Sequence, residues 1–397
     1  MWYPPPGIQM VDLQTTRQAD VVIVGAGPAG VMAALALVPK GLTVLILEAA
    51  AGPANKVCGG AVTERALALI PSGIAIPWER SALGAELHVH ELGRHWVADQ
   101  GSALAHTVVR DAFDRALRDA ATAAGALLWS SCRALAVRHR GAHLEIATSR
   151  GDLRTQFLIV ADGVNGTTAR HAGWTTPLVR IPALVLEVET DAATVERFGQ
   201  RLRFDLGVTP HGFGWVSPKR RHLSVGLVRT RRGPGDLKTM LRRYLELLGV
   251  AVHGNPTPRG RLLPVLPHDG PLVRGRILLA GDAAGLSDPL LGEGLFAALL
   301  SGRLAGQAIL AGELDPWRVE YHYGSRLEEQ ILADLPYARL AAWVLHRLPA
   351  TRRWLFARHG QRLTDAVADV AAGKRRYRDL FWSLKSYRAL LQRGEPS

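Results

Sequence analysis

The residues of this chain that could do chemistry come in glycine-rich groups, each with a charged or nucleophilic side chain close by. Gly25-Ala-Gly27-Pro-Ala29-Gly30, followed by Glu48, has the types and spacing that hold a pyrophosphate and a ribose. Gly25 permits the tight turn, Gly27 lets backbone approach the phosphates, and Gly30 lets helix and strand pack closely. Cys58 stands between Val57 and Gly59-Gly60. Its thiol is either a small buried filler or a group held near a cofactor. Arg110 could aim a guanidinium at a phosphate or pair with a surface carboxylate. Further on, Asp162 in "ADG" and Gly281-Asp282 in "GDAAG" bring two more carboxylates, and Gly292-Glu-Gly294 two more glycines. Asp282, far along the chain from Glu48, is what a second ribose or a flavin side chain would need. Gly292 and Gly294 at a helix start could turn N–H groups towards an anionic ring.

The elements around these residues follow from hydrophobic patterning. Val21–Val24 and Leu42–Leu47 are short apolar runs, which predict buried parallel strands. Val31–Val38 between them predicts a helix opening on the glycine turn. Val21–Pro39 carries no charge and is about long enough to span a bilayer. The Gly and Pro clustered after the first strand, and Glu48 closing the next run, favour the strand–turn–helix–strand unit of an adenine dinucleotide site. Thr63–Leu69 looks helical. Ser81–Ser102 alternates apolar and polar residues and predicts a hairpin carrying His88, His90 and His95. No carboxylate or Cys spacing supports a metal there, so these read as solvated strand histidines. Val109–Ala124 predicts a helix with Asp111 as N-cap and an apolar stripe of Phe113 and Leu117. Phe157–Ala161 predicts a strand running into "ADG" at a sheet edge. Arg180–Gly260 has shorter alternating segments, hence an antiparallel sheet with a turn at Pro218-Lys219-Arg220 and an inserted helix at Leu237–Leu248. Phe213 and Trp215 share one strand face. That face could line an apolar pocket or belong to the core.

Bulk composition sets limits. The 397 residues suffice for two domains with substantial cores. A net charge of +13, from 48 Lys and Arg against 35 Asp and Glu, could suit anionic lipid, acidic substrates or nucleic acid. It is spread widely and carried mostly by Arg, and no nucleic-acid partner is expected. Two cysteines, Cys58 and Cys132, are too few for a disulfide framework and suit a reducing, cytoplasmic compartment. Met1–Ala19 reads as a loose arm rather than a targeting peptide. No zinc-ligand spacing, nucleophile elbow or repeat is present. Tyr337–Ser397 interleaves Arg with Trp343, Trp354, Phe356, Phe381 and Trp382. It reads as a basic surface for an anionic membrane, as a helical cap over the substrate site, or as both.

Taken together, the motifs resemble the geranylgeranyl reductase family of FAD-dependent oxidoreductases, within the wider class that includes the aromatic hydroxylases. The resemblance covers about Asp20–Ala311. It rests on "GAGPAG" with Glu48, "KVCGG" with Cys58, "VVRDAFDRALRDAA" with Arg110, "ADG" with Asp162, and "GDAAGLSDPLLGEG" with Gly281, Asp282, Gly292 and Gly294. "GFGWVSPK" is similar to the family's aromatic-x-Trp-x-aromatic-Pro substrate motif, with Phe213 in place of the usual Tyr and Ser217 in place of an aromatic.

The resemblance implies an α/β protein. Its parts are a Rossmann-type FAD-binding domain (18–80, 103–175 and 260–312), an antiparallel β-sheet substrate domain (81–102 and 176–259) and a C-terminal helical region (313–397). Non-covalent FAD would be held by Gly25, Gly27, Ala29, Gly30, Glu48, Gly59, Arg110, Asp162, Gly281, Asp282, Gly292 and Gly294. Phe213 and Trp215 would meet a hydrophobic substrate. Cys58 would lie at the flavin ring as a proton donor, with a pKa near an ordinary thiol's. The implied activity saturates carbon–carbon double bonds of a prenyl lipid or pigment side chain. NADPH or ferredoxin would be a transient electron donor, since no second GxGxxG unit follows a strand. The competing readings are an oxygenating hydroxylase or halogenase, and a flavin-binding protein without turnover.

Overall fold

The computed structural model describes residues 17–52, 56, 58–231, 235–254 and 256–382. Nearly all of the expected loose arm at Met1–Ala19, and the chain beyond 382, lie outside the described residues. Two large sheets and a small one organise the molecule. The strand Gln18–Val24 lies near the middle of the first sheet. It is flanked in parallel by Val44–Leu47 and Leu153–Val160, and Leu127–Trp129 and Ile277–Leu279 extend the parallel array on either side. Val21, Val22 and Ile23 are wholly buried, as a strand covered on both faces requires. Leu153–Val160 pairs on both sides, so "ADG" leaves an interior strand rather than a sheet edge.

Two helices cover this sheet where the glycine turn opens. Pro28–Leu37 begins with Pro in its first turn, after Gly27 in extended conformation. Leu295–Ala311 packs across it through small residues. A Cβ on Gly302 would stand 2.0 Å from the Ala29 carbonyl oxygen, and one on Gly306 2.8 Å from that of Ala33. The alanines and glycines of both sequences thus serve a close helix crossing. Arg110–Ala123 is helical as expected, but Val109 is its N-cap, without a side-chain hydrogen bond. Asp111 sits inside the first turn, where its charge still favours the helix N-terminus.

The second sheet has seven strands, antiparallel except where Arg201–Leu206 pairs in parallel with Gly84–Val89. The expected hairpin is Gly84–Val89 with Arg94–Asp99, at this sheet's edge. Arg259–Leu266 pairs with Val179–Glu189, so this strand of the 260–312 segment belongs to the antiparallel sheet. One face of the sheet carries the helix Leu237–Leu248, through Leu241, Tyr244 and Leu245. The other face, with Ala85, Leu87, Phe213 and Leu263, looks towards the first domain and the long helix Pro349–Ala371. That helix bends at His359, whose φ of −133° and ψ of 22° are not helical. Among the described residues no helix is long and apolar enough to cross a membrane.

Candidate active site

The glycine turn forms one end of a cleft of about 930 Å³ lined by Gly25, Gly27, Glu48, Arg133, Asp162 and Asp282. Gly25 has φ +106°, and a Cβ there would meet the Ala161 carbonyl oxygen at 2.3 Å. A Cβ on Gly30 would meet the Gly25 oxygen at 2.0 Å. At Gly27 the same atom would find only Lys56 Nζ, at 3.9 Å, so this glycine leaves open space for a ligand. Glu48 accepts hydrogen bonds from Ala26 N–H (3.0 Å) and Ala50 N–H (2.9 Å), one on each carboxylate oxygen. Both oxygens keep lone pairs for ribose hydroxyls.

Asp162 accepts from Thr168 N–H at 3.0 Å through Oδ2, whereas its Oδ1 is buried without a protein partner among the described residues. Burial pushes this carboxyl above its ordinary range, although the Thr168 hydrogen bonds pull it down. A buried acceptor left open at the wall of a glycine-lined cleft is what a cofactor's polar edge would satisfy. The residues present therefore fit FAD.

The cleft meets a second, smaller space at Lys56, Arg261 and Asp282. This pocket, about 140 Å³, is lined by Cys58, Gly59, Phe213, Trp215, Gly292 and Gly294 among others. Phe213 and Trp215 face it together, as their spacing predicts. The glycine loop is pressed against this wall. A Cβ on Gly59 would lie 2.6 Å from Trp215 Nε1, and one on Gly60 2.2 Å from the Val108 carbonyl oxygen.

Cys58 Sγ accepts from Gly60 N–H at 3.4 Å. Burial alone would raise its pKa, but Arg110 and Arg261 beside it outweigh burial and hold the thiol below its ordinary value. The expectation of an ordinary thiol is thereby corrected. Asp282 shows the same balance. Burial would raise its carboxyl, yet Arg261, whose Nη2 donates to Oδ2 at 2.9 Å, together with Lys56 and Arg110, keeps it low.

Arg110 is buried, 5% exposed, and holds Asp114 one helical turn on through Nε and Nη2 at 3.0–3.1 Å. It is not a surface salt bridge: Arg110 lines the pocket beside Cys58, and its partner Asp114 lines the cofactor cleft. Ala29 lies between Gly281 and Gly302, so it serves helix packing. Gly281 donates its N–H to Ser301 Oγ at 2.9 Å. Gly292 donates its N–H to the Asp288 carbonyl at 2.9 Å and so is committed to the loop. Gly294 is the N-cap of Leu295–Ala311.

Several residues of this site are not singled out by the sequence, some of them inside its motifs. Lys56 and Arg261 flank Asp282, Asp114 orients Arg110, and Arg133 lines the cleft. The loop before Leu295 is pinned by Thr63 Oγ1 and Arg65 on Glu293, and by Tyr377 OH on Asp288 Oδ2 at 2.8 Å. The i,i+4 spacing of Arg110 and Asp114 could have been read from sequence. The others meet only in three dimensions. Among the strand histidines, His88 Nε2 lies 2.6 Å from Glu86 Oε1 and the His95 ring stacks on that of His88. A carboxylate does stand beside them, two residues away along one strand face, and their hydrogen bond holds Glu86 low.

A model of the FAD binding domain family matches residues 18–235. A digeranylgeranylglycerophospholipid reductase of Methanopyrus kandleri is 33% identical, over 83% of this chain and 91% of its own length. The chain belongs to the geranylgeranyl reductase family of FAD-dependent oxidoreductases. A menaquinone reductase of Mycobacterium tuberculosis is 29% identical over 80% of each chain. The crystal structure of a geranylgeranyl bacteriochlorophyll reductase-like protein from Thermoplasma acidophilum shares the fold, with a TM-score of 0.76, 22% identity and 95% and 96% of the two chains covered. This family member is thus a flavoenzyme with a mixed α/β architecture and C-terminal helices.

Proposed function

We propose that this enzyme saturates carbon–carbon double bonds in the prenyl chain of a lipid or quinone-like molecule, with Cys58 as proton donor. The observation that carries the reading is a thiol, held acidic by Arg110 and Arg261, just before a Gly-Gly pair and lining an apolar pocket that borders the cofactor cleft. An isolated alkene offers no charge to grip, so it must be held by area. Phe213, Trp215, Leu87 and Leu263 supply that surface. Bound in the cleft without a covalent link, reduced FAD supplies the hydride that goes to one alkene carbon. Cys58 Sγ–H gives its proton to the neighbouring carbon and keeps the S–H electron pair as thiolate. Arg110 and Arg261 stabilise that thiolate, which water then reprotonates. Their charges make the thiol a stronger acid than a free cysteine. The family resemblance and the names of relatives, a digeranylgeranylglycerophospholipid reductase and a menaquinone reductase, support a prenyl chain. NADPH or a ferredoxin-type protein would reduce the flavin transiently.

The test separates the half-reactions. In Cys58→Ser, reduction of the flavin by donor proceeds at the native rate. Reoxidation by a prenyl lipid slows by about 10²-fold or more. Product masses show two added hydrogens per bond and no added oxygen. Native-rate reoxidation in both Cys58→Ser and Cys58→Ala would remove Cys58 from this role. An oxygenated product would point to a hydroxylase instead.

A further inference from the structure

A second apolar space lies on the same sheet face as the reaction pocket. It is a surface groove of about 470 Å³ between the sheet and the helix Leu335–Arg347, lined by Val179, Ile181, Val265, Pro289, Leu340 and Trp343, with Arg339 and Arg347. Ile181 in the groove, and Ala183 and Val185 in the pocket, are alternate residues of one strand. Val265 in the groove and Leu263 in the pocket are alternate residues of its neighbour. Groove and pocket therefore form consecutive stretches of one apolar track. The two linings share no residue, and buried Phe213, His346 and Leu290 pack between the stretches, so the chain passes only when they move aside. The Phe213 and His346 rings stack at 5.2 Å, and His346 Nε2 reaches the Leu290 carbonyl at 3.2 Å.

Size and charge say what the groove takes. Pockets for ligands run to roughly 300–1,000 Å³, and the reaction pocket alone, about 140 Å³, is too small for a long chain. The mouth of the groove is apolar and exposed, with Val179 49%, Leu340 45% and Trp343 48% accessible. Its lining includes two arginines and no acid. The segment from Leu335 to Thr364 has six arginines and no Asp or Glu of its own; Arg352 is buried on Glu91, and the other five remain for the surface. Beyond the turn at Leu348, the helix Pro349–Ala371 exposes Trp354, 52% accessible, with the Arg358 guanidinium over its ring. The far half of that same helix, past the bend at His359, supplies Thr364, Val367, Ala368 and Ala371 to the pocket wall. Exposed Trp and Leu among acid-free arginines complement an anionic lipid surface.

We propose that the groove is the port by which an anionic prenyl lipid passes from a bilayer to the flavin. Trp343 and Trp354 rest in the interface, Arg339 and Arg347 hold the anionic headgroup, and the chain follows the Ile181–Ala183 track inward. This rests on the prenyl reading for the chain, but not for the docking. The test uses the full-length holoenzyme and substrate-free vesicles of phosphatidylcholine, alone or mixed with phosphatidylglycerol. Wild-type protein sediments with the anionic vesicles and is released by salt. R339E/R347E, with unchanged flavin content, binds them at least about tenfold more weakly. The inward track is tested separately with Val179→Trp, which fills the mouth. In that variant the ratio of kcat/KM for vesicle-borne prenyl lipid over that for a short soluble prenyl alcohol falls about tenfold. Equal binding to neutral and anionic vesicles at low salt, or native binding by R339E/R347E, overturns the docking. An unchanged ratio in Val179→Trp overturns the port. Failure of wild-type protein to reduce either substrate would instead sink the prenyl reading, with the vesicle arms still decisive for the docking.

Discussion

The cofactor cleft and the reaction pocket share a boundary at Lys56, Arg261 and Asp282, yet they are built in opposite ways. The turn end of the cleft is made of backbone, at places where a Cβ on Gly25 or Gly30 would strike a carbonyl. The reactive corner of the pocket is made of side chains, with Arg110 and Asp282 buried and Arg261 half-buried next to an apolar wall, and Asp114 buried behind Arg110. A site made of backbone fails when a side chain is added. A site made of paired charges fails when one partner is removed, and tolerates removal of both.

The sharpest way to break the comparison is at the turn. Gly25→Ala adds one carbon at a φ of +106° with the Ala161 oxygen 2.3 Å away. The expected cost is on the order of 4 kcal/mol, with flavin lost on purification. Absorbance of the bound flavin against total protein, together with thermal unfolding, reads both. Near-native flavin content would mean that the turn relaxes, and that backbone sites are softer than argued.

The pocket gives the paired version. Arg110→Met strands Asp114, 6% exposed, as a buried unpaired carboxylate and should cost about 3 kcal/mol. Arg110→Met/Asp114→Leu should recover most of it, as denaturant midpoints would show. The double variant also moves the pH profile. Proton donation needs the Cys58 thiol protonated, so alkene-dependent reoxidation falls as pH rises through its pKa. Arg110 helps to hold that pKa low. Without Arg110 the alkaline limb shifts to higher pH. An unmoved limb would show that Cys58 is not the titrating acid.

The smallest effect is expected at His346, where the pocket meets the groove. Burial pushes this imidazole down to about 4, against about 6.5 for a free one. Between those values the unfolded chain binds a proton that the folded chain does not. The stability this group contributes is therefore complete above about pH 6.5 and falls as pH drops towards 4. His346→Phe should flatten that slope in unfolding midpoints across the range. A slope as steep as the parent's would assign it to other groups.

The same contrast explains what the sequence reveals. Gly25, Gly27, Gly30 and Glu48 are legible because local backbone geometry dictates them within one strand–helix–strand unit. Asp162 and Asp282 are legible for the same reason, as each follows an apolar strand with a glycine beside it. Arg110 is visible as a residue, but its burial beside Cys58 is not, since that depends on how its helix packs against the glycine loop. Arg261 gives little warning, because "RGRLLPVL" looks like an exposed edge until Asp282 is placed opposite it. Gly292 and Gly281 announce flexibility correctly, yet their N–H groups go to Asp288 and Ser301 rather than to a ligand. The hairpin histidines are legible as strand residues. The tie of His88 to Glu86 follows from their two-residue spacing, whereas the stacking of His95 on His88 depends on the hairpin register.

The crossing of Pro28–Leu37 with Leu295–Ala311 has a consequence for how the protein comes into being. Ala29 and Gly302 touch across roughly 270 residues of intervening chain, and such distant partners make for slow, late-forming structure. During synthesis the glycine turn is among the first pieces made, but the helix that locks it emerges only after both large sheets. Until then the early strands have no lid of small residues over them, and flavin has only part of its site. Cofactor capture should therefore be a closing event in biogenesis. A chain cut before Leu295 would leave the ribosome without the means to retain it.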